Sequence, residues 1–457
     1  MTENSNAATD TDLVFPLGEA TDPAQLDAEA DMLDAARARP FLLRIPTYLK
    51  LGGPGFMGAA ATLGAGTLTS AMLSGAEFGY KMLWVSWLAI GSGVFMMAAM
   101  ARMTTHGRFP IIQKQRERFG PFLSLFLTAF IAMFMVGVAF NFGQVALGTH
   151  LMEEAAHVVG LSFPQEINWI LYAAVTAWIS LSYGRGGTGV RFVENFMKYS
   201  LLFMILCFTA CLLVVGVDWG AAARGFFIPW LPSGQLGIDL FIAASAAAIG
   251  VADWVFFQYA GLIKGWGKRH EGLARVDIGM GFALPFMLVY IVVVCVFAAT
   301  LFGTGETPET ATQLSAALAP LLGETVAQLA FLIGFLAVPI TSSVALGLIS
   351  AIGLHEALGW KPDVRSWRWK LAVLAPQIGL FGAFMPSPLW LIIIIAAFLS
   401  LTNNIVGWTF YLMANDRKVL GESRIKSRVW NLGILVQVTL LNSVAIIWVF
   451  NRLELWG

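Results

Sequence analysis

Long apolar runs alternate with short polar loops from Phe41 to the end of the chain. Each run has on the order of 20 residues, which is the helical length needed to cross a bilayer core of about 30 Å. Because lipid offers no hydrogen-bond partners to the backbone, the runs predict helices. The pattern predicts eleven spans, at about 48–75, 81–102, 121–147, 167–183, 190–216, 238–262, 275–302, 325–350, 368–385, 388–413 and 429–451.

The first 40 residues differ from the rest, because they are polar and acidic and contain no apolar run. They predict a mostly disordered tail, with room for a short helix over 24–39. Residues 41–457 form the predicted transmembrane domain. Spans 1–5 occupy about 48–216, spans 6–10 occupy about 238–413, and span 11 occupies about 429–451.

Composition strengthens the membrane prediction. Of the 457 residues, 58% are hydrophobic and only 12% are charged, whereas a soluble domain carries roughly 25% charged residues. The formal net charge is zero, so no overall basic field indicates nucleic-acid binding. No nucleophile–base arrangement or cofactor motif is present, which argues against an enzyme and predicts no bound cofactor.

The basic residues are distributed unevenly between alternate loops. Only Lys81, Arg224 and Arg452 of the 28 Lys and Arg fall on the second side, which leaves 28 − 3 = 25 on the side of the N-terminus. The positive-inside rule therefore places the N-terminus in the cytoplasm, and eleven spans place the C-terminus outside. Short loops suit a bacterial inner membrane.

Two predicted spans are interrupted near their centres. The stretch 61-ATLGAGTLTS-70 in span 1 holds Gly64, Gly66 and several threonines, and 248-AIGVADWVFFQY-259 in span 6 holds Gly250 and Asp253. Glycine weakens a helix by about 1 kcal/mol relative to alanine. Breaks at matching positions of two five-helix halves are typical of inverted-repeat transporters. Close helix packing alone is the alternative explanation for the glycines.

Asp253 is the most informative residue, since an aspartate at a helix centre costs roughly 2.5–3.5 kcal/mol on insertion scales. It predicts a substrate counter-ion or proton carrier; the alternatives are a partner lysine or arginine, or a cap on a helix half. Among other polar residues inside spans, Glu194 and Lys198 are spaced i,i+4 and are predicted to pair. The cluster 402-TNN-404 indicates either a polar lining or interhelical hydrogen bonds.

Several segments resemble the NRAMP family of divalent-metal transporters. They include GPGF at 53–56, GAEFGYKMLWV at 75–85, FLIGFLAVPITSS at 331–343 and the stretch 397–421. The resemblance runs from about residue 45 to the end. It implies an all-α polytopic membrane protein with a LeuT-type fold, eleven helices and a 5+5 inverted repeat. It also implies, usually, proton-coupled uptake of manganese or iron.

The family's metal-binding motif is absent. Its first-span Asp-Pro-Gly-Asn positions are occupied here by Gly64, Ala65, Gly66 and Thr67. Its sixth-span Met-Pro-His positions hold Val251, Ala252 and Asp253, and its tenth-span glutamine aligns with Thr402. The family's third-span acids are also missing from 136-VGVAFNFGQ-144. No metal-ligand set can be assigned, because most of these side chains carry no donor atom.

The sequence therefore predicts a secondary membrane transporter that moves a small cation by alternating access. The resemblance implies a divalent metal, but manganese and iron are expected to be poor substrates. The site could hold a hydrated hard cation such as magnesium, and it could equally hold a small organic molecule. A transporter of a small organic solute and a non-transporting receptor-like homologue remain alternatives. Protons are a candidate coupling ion. The predicted substrate-binding residues are Gly64, Ala65, Gly66, Thr67, Gly250, Val251, Ala252, Asp253 and Thr402.

Overall fold

The described part of the protein consists of helices joined by turns and short links. The computed structural model describes residues 23–183, 187–246, 249–305, 325–360, 363, 366–384 and 388–439, and this part of the chain contains no strand. The first half contains α1 Pro23–Arg37, α2 Phe41–Leu51, α3 Pro54–Thr62, α4 Ala65–Phe78, α5 Val85–Arg102, α6 Ile111–Phe119, α7 Val136–Val158, α8 Gln165–Ser182 and α9 Gly187–Val214.

The second half repeats the pattern of long helices joined by short links. It contains α10 Trp219–Phe227, α11 Gln235–Ala246, α12 Val251–Ile263, α13 Glu271–Val276, α14 Leu284–Thr300, α15 Thr325–Leu358, α16 Trp367–Leu374, α17 Pro388–Asn415 and α18 Arg417–Leu420. A further helix covers 428–439. Segments of π-helix at Phe122–Met135 and Asp277–Ala283 run directly into α7 and α14.

Each of the eleven predicted spans overlaps at least one helical segment of the described chain. Within the described residues, five helical runs are long and apolar enough to cross a membrane, and six if one bent pair is counted as a span. The five runs are Val85–Gly107, Phe122–Val158, Thr188–Val214, Lys268–Thr300 and Leu332–Leu358. The last part of span 11 and residues 1–22 of the acidic tail lie outside the described residues.

The two predicted helix breaks are confirmed. In the first span, α3 ends at Thr62 and the following helical run is bent by 54° relative to it. In the sixth span, α11 ends at Ala246 and α12 begins at Val251. Gly64 (φ −81°, ψ −178°) and Gly250 (φ −122°, ψ −172°) are both extended and both precede a helix. Such angles are open to any residue, so backbone freedom does not explain these glycines.

The N-terminus of α3 is fixed by a carboxylate from another helix. Asp277 is buried and accepts hydrogen bonds from the backbone N–H of Gly53 at 3.1 Å and of Gly55 at 2.6 Å. Pro54 occupies the first turn of the helix, where the missing N–H costs nothing. The first turn of a helix has unpaired N–H groups and a partial positive charge, and Asp277 satisfies both.

The predicted pair between Glu194 and Lys198 is wrong. Lys264 lies 3.3 Å from the Glu194 carboxylate. Lys198 instead donates to the carbonyl of Leu49 at 3.0 Å and lies 4.9 Å from the centre of the Phe56 ring. Both side chains are half-buried, so residues of every neighbouring helix can pair with them. The i,i+4 spacing along one helix therefore did not decide which residue pairs with Glu194.

The helix α1 lies where the sequence allowed a short helix in the acidic tail. Ala30, Leu33 and Ala36 are buried on its inner face. On its outer face, Asp31 lies 2.8 Å from the Arg269 guanidinium, and Asp34 also pairs with that guanidinium. The helix is therefore attached to the link between α12 and α13.

Candidate functional site

A cavity of about 70 Å³ lies between the two helix breaks. A buried water molecule needs about 10–15 Å³ of such space, so the cavity has room for several. It is lined by both broken helices together with α7, α15, α17 and the π-helical segment before α7. The polar lining residues are Thr62, Thr67, Gln144, Asp253 and Asn403.

Asp253 lies in the first turn of α12 and caps that helix. Its Oδ2 accepts a hydrogen bond from the backbone N–H of Gly250 at 2.9 Å, and the Thr62 hydroxyl lies 3.1 Å from its Oδ1. The capping alternative raised by the sequence is therefore observed. The same carboxylate still borders the cavity. It thus joins the two broken helices and supplies negative charge to the space between them.

The carbonyl groups freed at the end of α3 are occupied by hydroxyls. Thr341 donates to the carbonyl of Ala60 at 3.2 Å, and Ser342 lies 3.1 Å from the carbonyl of Ala61. Thr67 donates to the carbonyl of Thr62 at 2.9 Å. A helix end inside a membrane protein needs such partners, because no bulk water can supply them. The Ser342 hydroxyl also lies 3.4 Å from the carbonyl of Ala60, so that oxygen is contacted by two hydroxyls.

Both glycines of the breaks are needed for close approach. A Cβ on Gly64 would lie 2.7 Å from Nε2 of Gln144 and 3.0 Å from Oγ of Ser342. A Cβ on Gly250 would lie 2.8 Å from Nδ2 of Asn403. Each break is therefore packed against an amide side chain from another helix. These two amides fill the space that larger side chains would occupy.

Seven of the nine predicted binding residues line the cavity, namely Gly64, Gly66, Thr67, Gly250, Val251, Ala252 and Asp253. The side chain of Ala65 lies outside the described part of the structure. Thr402 is buried in α17 and is not among the described residues that line the cavity. Its neighbour Asn403 takes that place, and its Oδ1 accepts the backbone N–H of Val251 at 2.9 Å.

Sequence reasoning missed the roles of Thr62, Gln144 and Asn403. All three are polar residues inside predicted spans, and their side chains reach the cavity from different helices. Gln144 belongs to α7 and Asn403 to α17, far from both breaks along the chain. An amide within an apolar span was the available signal, and it did not distinguish a cavity lining from a bond between helices.

A chain of hydrogen bonds between neutral groups passes through Asn141, which lies on the same helix as Gln144. Tyr172 and Ser343 hydroxyls are 2.8 Å apart, Ser343 donates to Oδ1 of Asn141 at 2.5 Å, and Nδ2 of Asn141 donates to the carbonyl of Pro376 at 2.7 Å. The chain ties α7, α8 and α15 together. It contains no acid, in agreement with the acid-free sequence of this part of span 3.

Comparison with known families decides the relationship of the chain. A model of the Nramp family, described as natural resistance-associated macrophage protein-like, matches residues 55–450. The chain belongs to the Nramp family. The resemblance identified from the sequence is thereby confirmed.

Curated relatives of this Nramp protein carry the name divalent metal cation transporter MntH. The protein of that name from Agrobacterium fabrum is 23% identical over 419 residues, which cover 88% of this chain and 87% of that protein. The one from Brucella suis biovar 1 is 24% identical over 352 residues and covers 74% of this chain and 72% of that protein.

Solved structures establish the fold of this Nramp protein. A manganese transporter of Eremococcus coleocola, in complex with an aromatic bis-isothiourea compound, superposes with a TM-score of 0.73 at 13% identity and covers 88% of this chain and 86% of that one. Mhp1, of the nucleobase-cation-symport-1 family, superposes with a TM-score of 0.58 at 14% identity and covers 88% of this chain and 93% of that one. The predicted all-α polytopic membrane protein with a LeuT-type fold is confirmed.

The donor atoms of the cavity are hard and few. Within the part of the chain that the structure describes, no group of three or more His, Cys, Asp or Glu could hold a metal ion. Asp253 is the one titratable side chain among the described residues that line the cavity. The rest of the polar lining consists of neutral hydroxyl and amide groups.

Proposed function

We propose that this Nramp protein is a secondary transporter that moves a divalent cation by alternating access, and that its substrate is a hydrated hard cation such as Mg²⁺. Membership of a family whose curated relatives are named divalent metal cation transporters supports the class of substrate. A cavity between two broken helices supports the location of the site, since such transporters bind substrate there.

The donor set of the cavity carries the choice of cation. Manganese and iron are held by several nitrogen, carboxylate or thioether ligands in a defined shell. Here one carboxylate, Asp253, is accompanied by hydroxyls and amides. Mg²⁺ keeps several of its waters and is bound through one or two carboxylates, so few protein ligands suffice. Gln144, Asn403 and Thr67 are suited to hydrogen bonding with those waters.

Coupling and orientation belong to the same proposal. Protons are the candidate coupling ion, and Asp253 is the group through which they act, since the hydrogen-bond chain at Asn141 is neutral. The N-terminus lies in the cytoplasm, the C-terminus lies outside, and the protein resides in the inner membrane. The uneven distribution of Lys and Arg between alternate loops supports this orientation.

Uptake into proteoliposomes tests the proposal. Purified protein is reconstituted with a Mg²⁺-sensitive dye inside the vesicles, and parallel samples carry a dye quenched by Mn²⁺ and Fe²⁺. Uptake of Mg²⁺ is expected well above that of empty vesicles. Uptake of Mn²⁺ and Fe²⁺ at equal concentration is expected to be at least about tenfold slower, since tenfold corresponds to only about 1.4 kcal/mol of binding preference.

High-affinity uptake of Mn²⁺ or Fe²⁺ that disappears when Thr67 or Asp253 is changed would refute the choice of cation. A thermal-shift screen of amines, amino acids and carboxylates accompanies the uptake assay. Stabilisation by an organic compound, with no stabilisation by any divalent cation, would favour an organic solute as the substrate.

A further inference from the structure

A second cavity, of about 290 Å³, lies at the end of α5 where α13 and the start of the last helix meet. Its position is on the basic side of the molecule, which the sequence predicts to face the cytoplasm. The cavity is about four times as large as the one between the helix breaks. The residues that give it its chemical character are Arg102, Glu271, Arg275, Arg424, Lys426 and Trp430.

Positive charge exceeds negative charge in the lining. Four cationic side chains face one carboxylate, which gives 4 − 1 = +3. That carboxylate, Glu271, is shared by Arg102 at 3.0 Å, Arg275 at 2.6 Å and His106 at 3.1 Å. One carboxylate cannot neutralise several guanidinium groups, so the cavity is a region of positive potential.

Among the four lining cations, Arg424 is the one with no salt bridge to a described residue. It is half-buried and lines the cavity, and its guanidinium forms no ion pair or hydrogen bond with any described residue. The nearby Glu422 is engaged by Arg417 at 2.9 Å and by Lys426 at 2.8 Å. Arg424 attracts the Glu422 carboxylate without forming a salt bridge to it, so its five N–H donors are available for an anion.

The start of the last helix borders the cavity and carries exposed apolar side chains. Trp430 is 37% exposed and packs edge-on against Phe95, with the ring centres 5.1 Å apart. Beside it, Val429 and Leu432 are 70% and 62% exposed. Tryptophan is enriched at the membrane–water interface, and exposed aliphatic side chains next to it are suited to acyl chains. A ligand in the cavity can thus have a charged end and an apolar end.

We propose that this cavity binds the phosphate headgroup of an anionic phospholipid from the cytoplasmic leaflet. Basic pockets between membrane helices on the cytoplasmic side recognise such headgroups. Arginine binds phosphate through two parallel N–H···O bonds, which Arg424 and Arg275 are free to offer on their exposed sides. The bound lipid connects α5, α13 and the last helix at a site separate from the cavity between the helix breaks.

The test compares lipids and a soluble phosphate on the purified full-length protein. Melting temperature is measured in a non-ionic detergent with added short-chain phosphatidylglycerol, short-chain phosphatidylcholine or inorganic phosphate. Phosphatidylglycerol is expected to raise the melting temperature by several degrees, and the other two are expected to leave it nearly unchanged. Arg424→Ala is expected to weaken the apparent affinity for phosphatidylglycerol about tenfold, because a charge-assisted contact is lost.

Arg428→Ala is the matched control, since Arg428 is exposed, lies on the same stretch and does not line the cavity. It is expected to keep the full response. An equal response to phosphatidylglycerol and phosphatidylcholine in the wild type would overturn the proposal without any variant. So would an undiminished response of Arg424→Ala, or a shift with inorganic phosphate as large as that with the lipid.

Discussion

At the scale of single residues, Asp253 has two roles that can be separated. Its Oδ2 accepts the N–H of Gly250, which stabilises the start of α12, and its negative charge borders the cavity. An amide oxygen can replace a carboxylate as a hydrogen-bond acceptor but carries no charge. The structural role therefore survives a change that removes the electrostatic one.

Asp253→Asn is expected to lower Mg²⁺ uptake at least about tenfold while the protein still inserts and folds, because the charge in the cavity is lost. Uptake in proteoliposomes measures the first effect, and size-exclusion chromatography measures the second. Asp218→Asn is the control, since Asp218 also accepts a backbone N–H at a helix start, from Ala221 at 2.9 Å, outside the cavity. Unchanged flux in Asp253→Asn would remove Asp253 from the mechanism.

Gly64 offers a gain-of-function test. The family carries an aspartate at this position, but here a Cβ would lie 2.7 Å from Nε2 of Gln144. Gly64→Asp alone is expected to destabilise the protein, whereas Gly64→Asp combined with Gln144→Ala has room for the carboxylate. The double variant is expected to gain Mn²⁺ uptake of at least about tenfold, through a second hard ligand.

Gln144→Ala alone is the control, and the four proteins form a double-mutant cycle in melting temperature and Mn²⁺ uptake. Equal stability of Gly64→Asp with and without Gln144 would show that the amide does not fill this space.

At the scale of elements, α3 is the helix that the rest of the structure positions most closely. Asp277 holds its N-terminus, hydroxyls of α15 hold its C-terminus, and Asp253 contacts it through Thr62. Its N-terminus also lies against the backbone of the π-helical segment, since a Cβ on Gly55 would overlap the carbonyl oxygen of Asp277.

Gly55→Ala is expected to destabilise the protein by about 1–3 kcal/mol, because a backbone atom has no way to yield to the added methyl group. The melting temperature is the measurement. Gly279→Ala is the matched control, since Gly279 lies in the same π-helical segment as Asp277 and a Cβ there meets nothing within 4 Å. The close contact at Gly55 would be disproved by equal melting temperatures of the two variants.

At the scale of the whole molecule, α1 connects the acidic tail to the membrane domain through Arg269. The hydrogen bond from the Arg269 guanidinium holds the pKa of Asp34 below its usual value of 3.8. A lowered pKa in the folded state means that the contribution of this ion pair is complete above the usual pKa of Asp34 and is lost only as the pH falls below it. At neutral pH the Asp34–Arg269 pair is therefore intact.

Arg269→Ala is expected to leave the melting temperature almost unchanged, because the ion pairs are exposed to solvent. Cleavage of α1 by chymotrypsin is expected to become severalfold faster, since a loosened helix opens more often. Lys268→Ala, at the exposed neighbouring position, is expected to leave the cleavage rate unchanged. Equal rates in both variants and the wild type would show that the buried face of α1 alone holds it.

The apolar runs, the breaks at Gly64 and Gly250 and the family were all accessible from the sequence. Span length and backbone satisfaction in lipid are local requirements, so they leave a pattern that can be read along the chain. The segments at 53–56 and 75–85 resemble those of the family, so the family could also be identified from the sequence. Asp253 was identified as a candidate site residue because inserting a carboxylate into the membrane within an apolar run costs free energy whichever way the side chain points.

Only the tertiary structure decided which side chains meet. It brought Gln144 and Asn403 to the two breaks, placed Asn403 instead of Thr402 in the cavity lining, and paired Glu194 with Lys264 instead of Lys198. These partners lie on different helices, and their contacts depend on how each helix is rotated about its axis within the bundle. The hydrophobic periodicity of one helix does not predict this rotation, because the rotation is set by packing among all the helices.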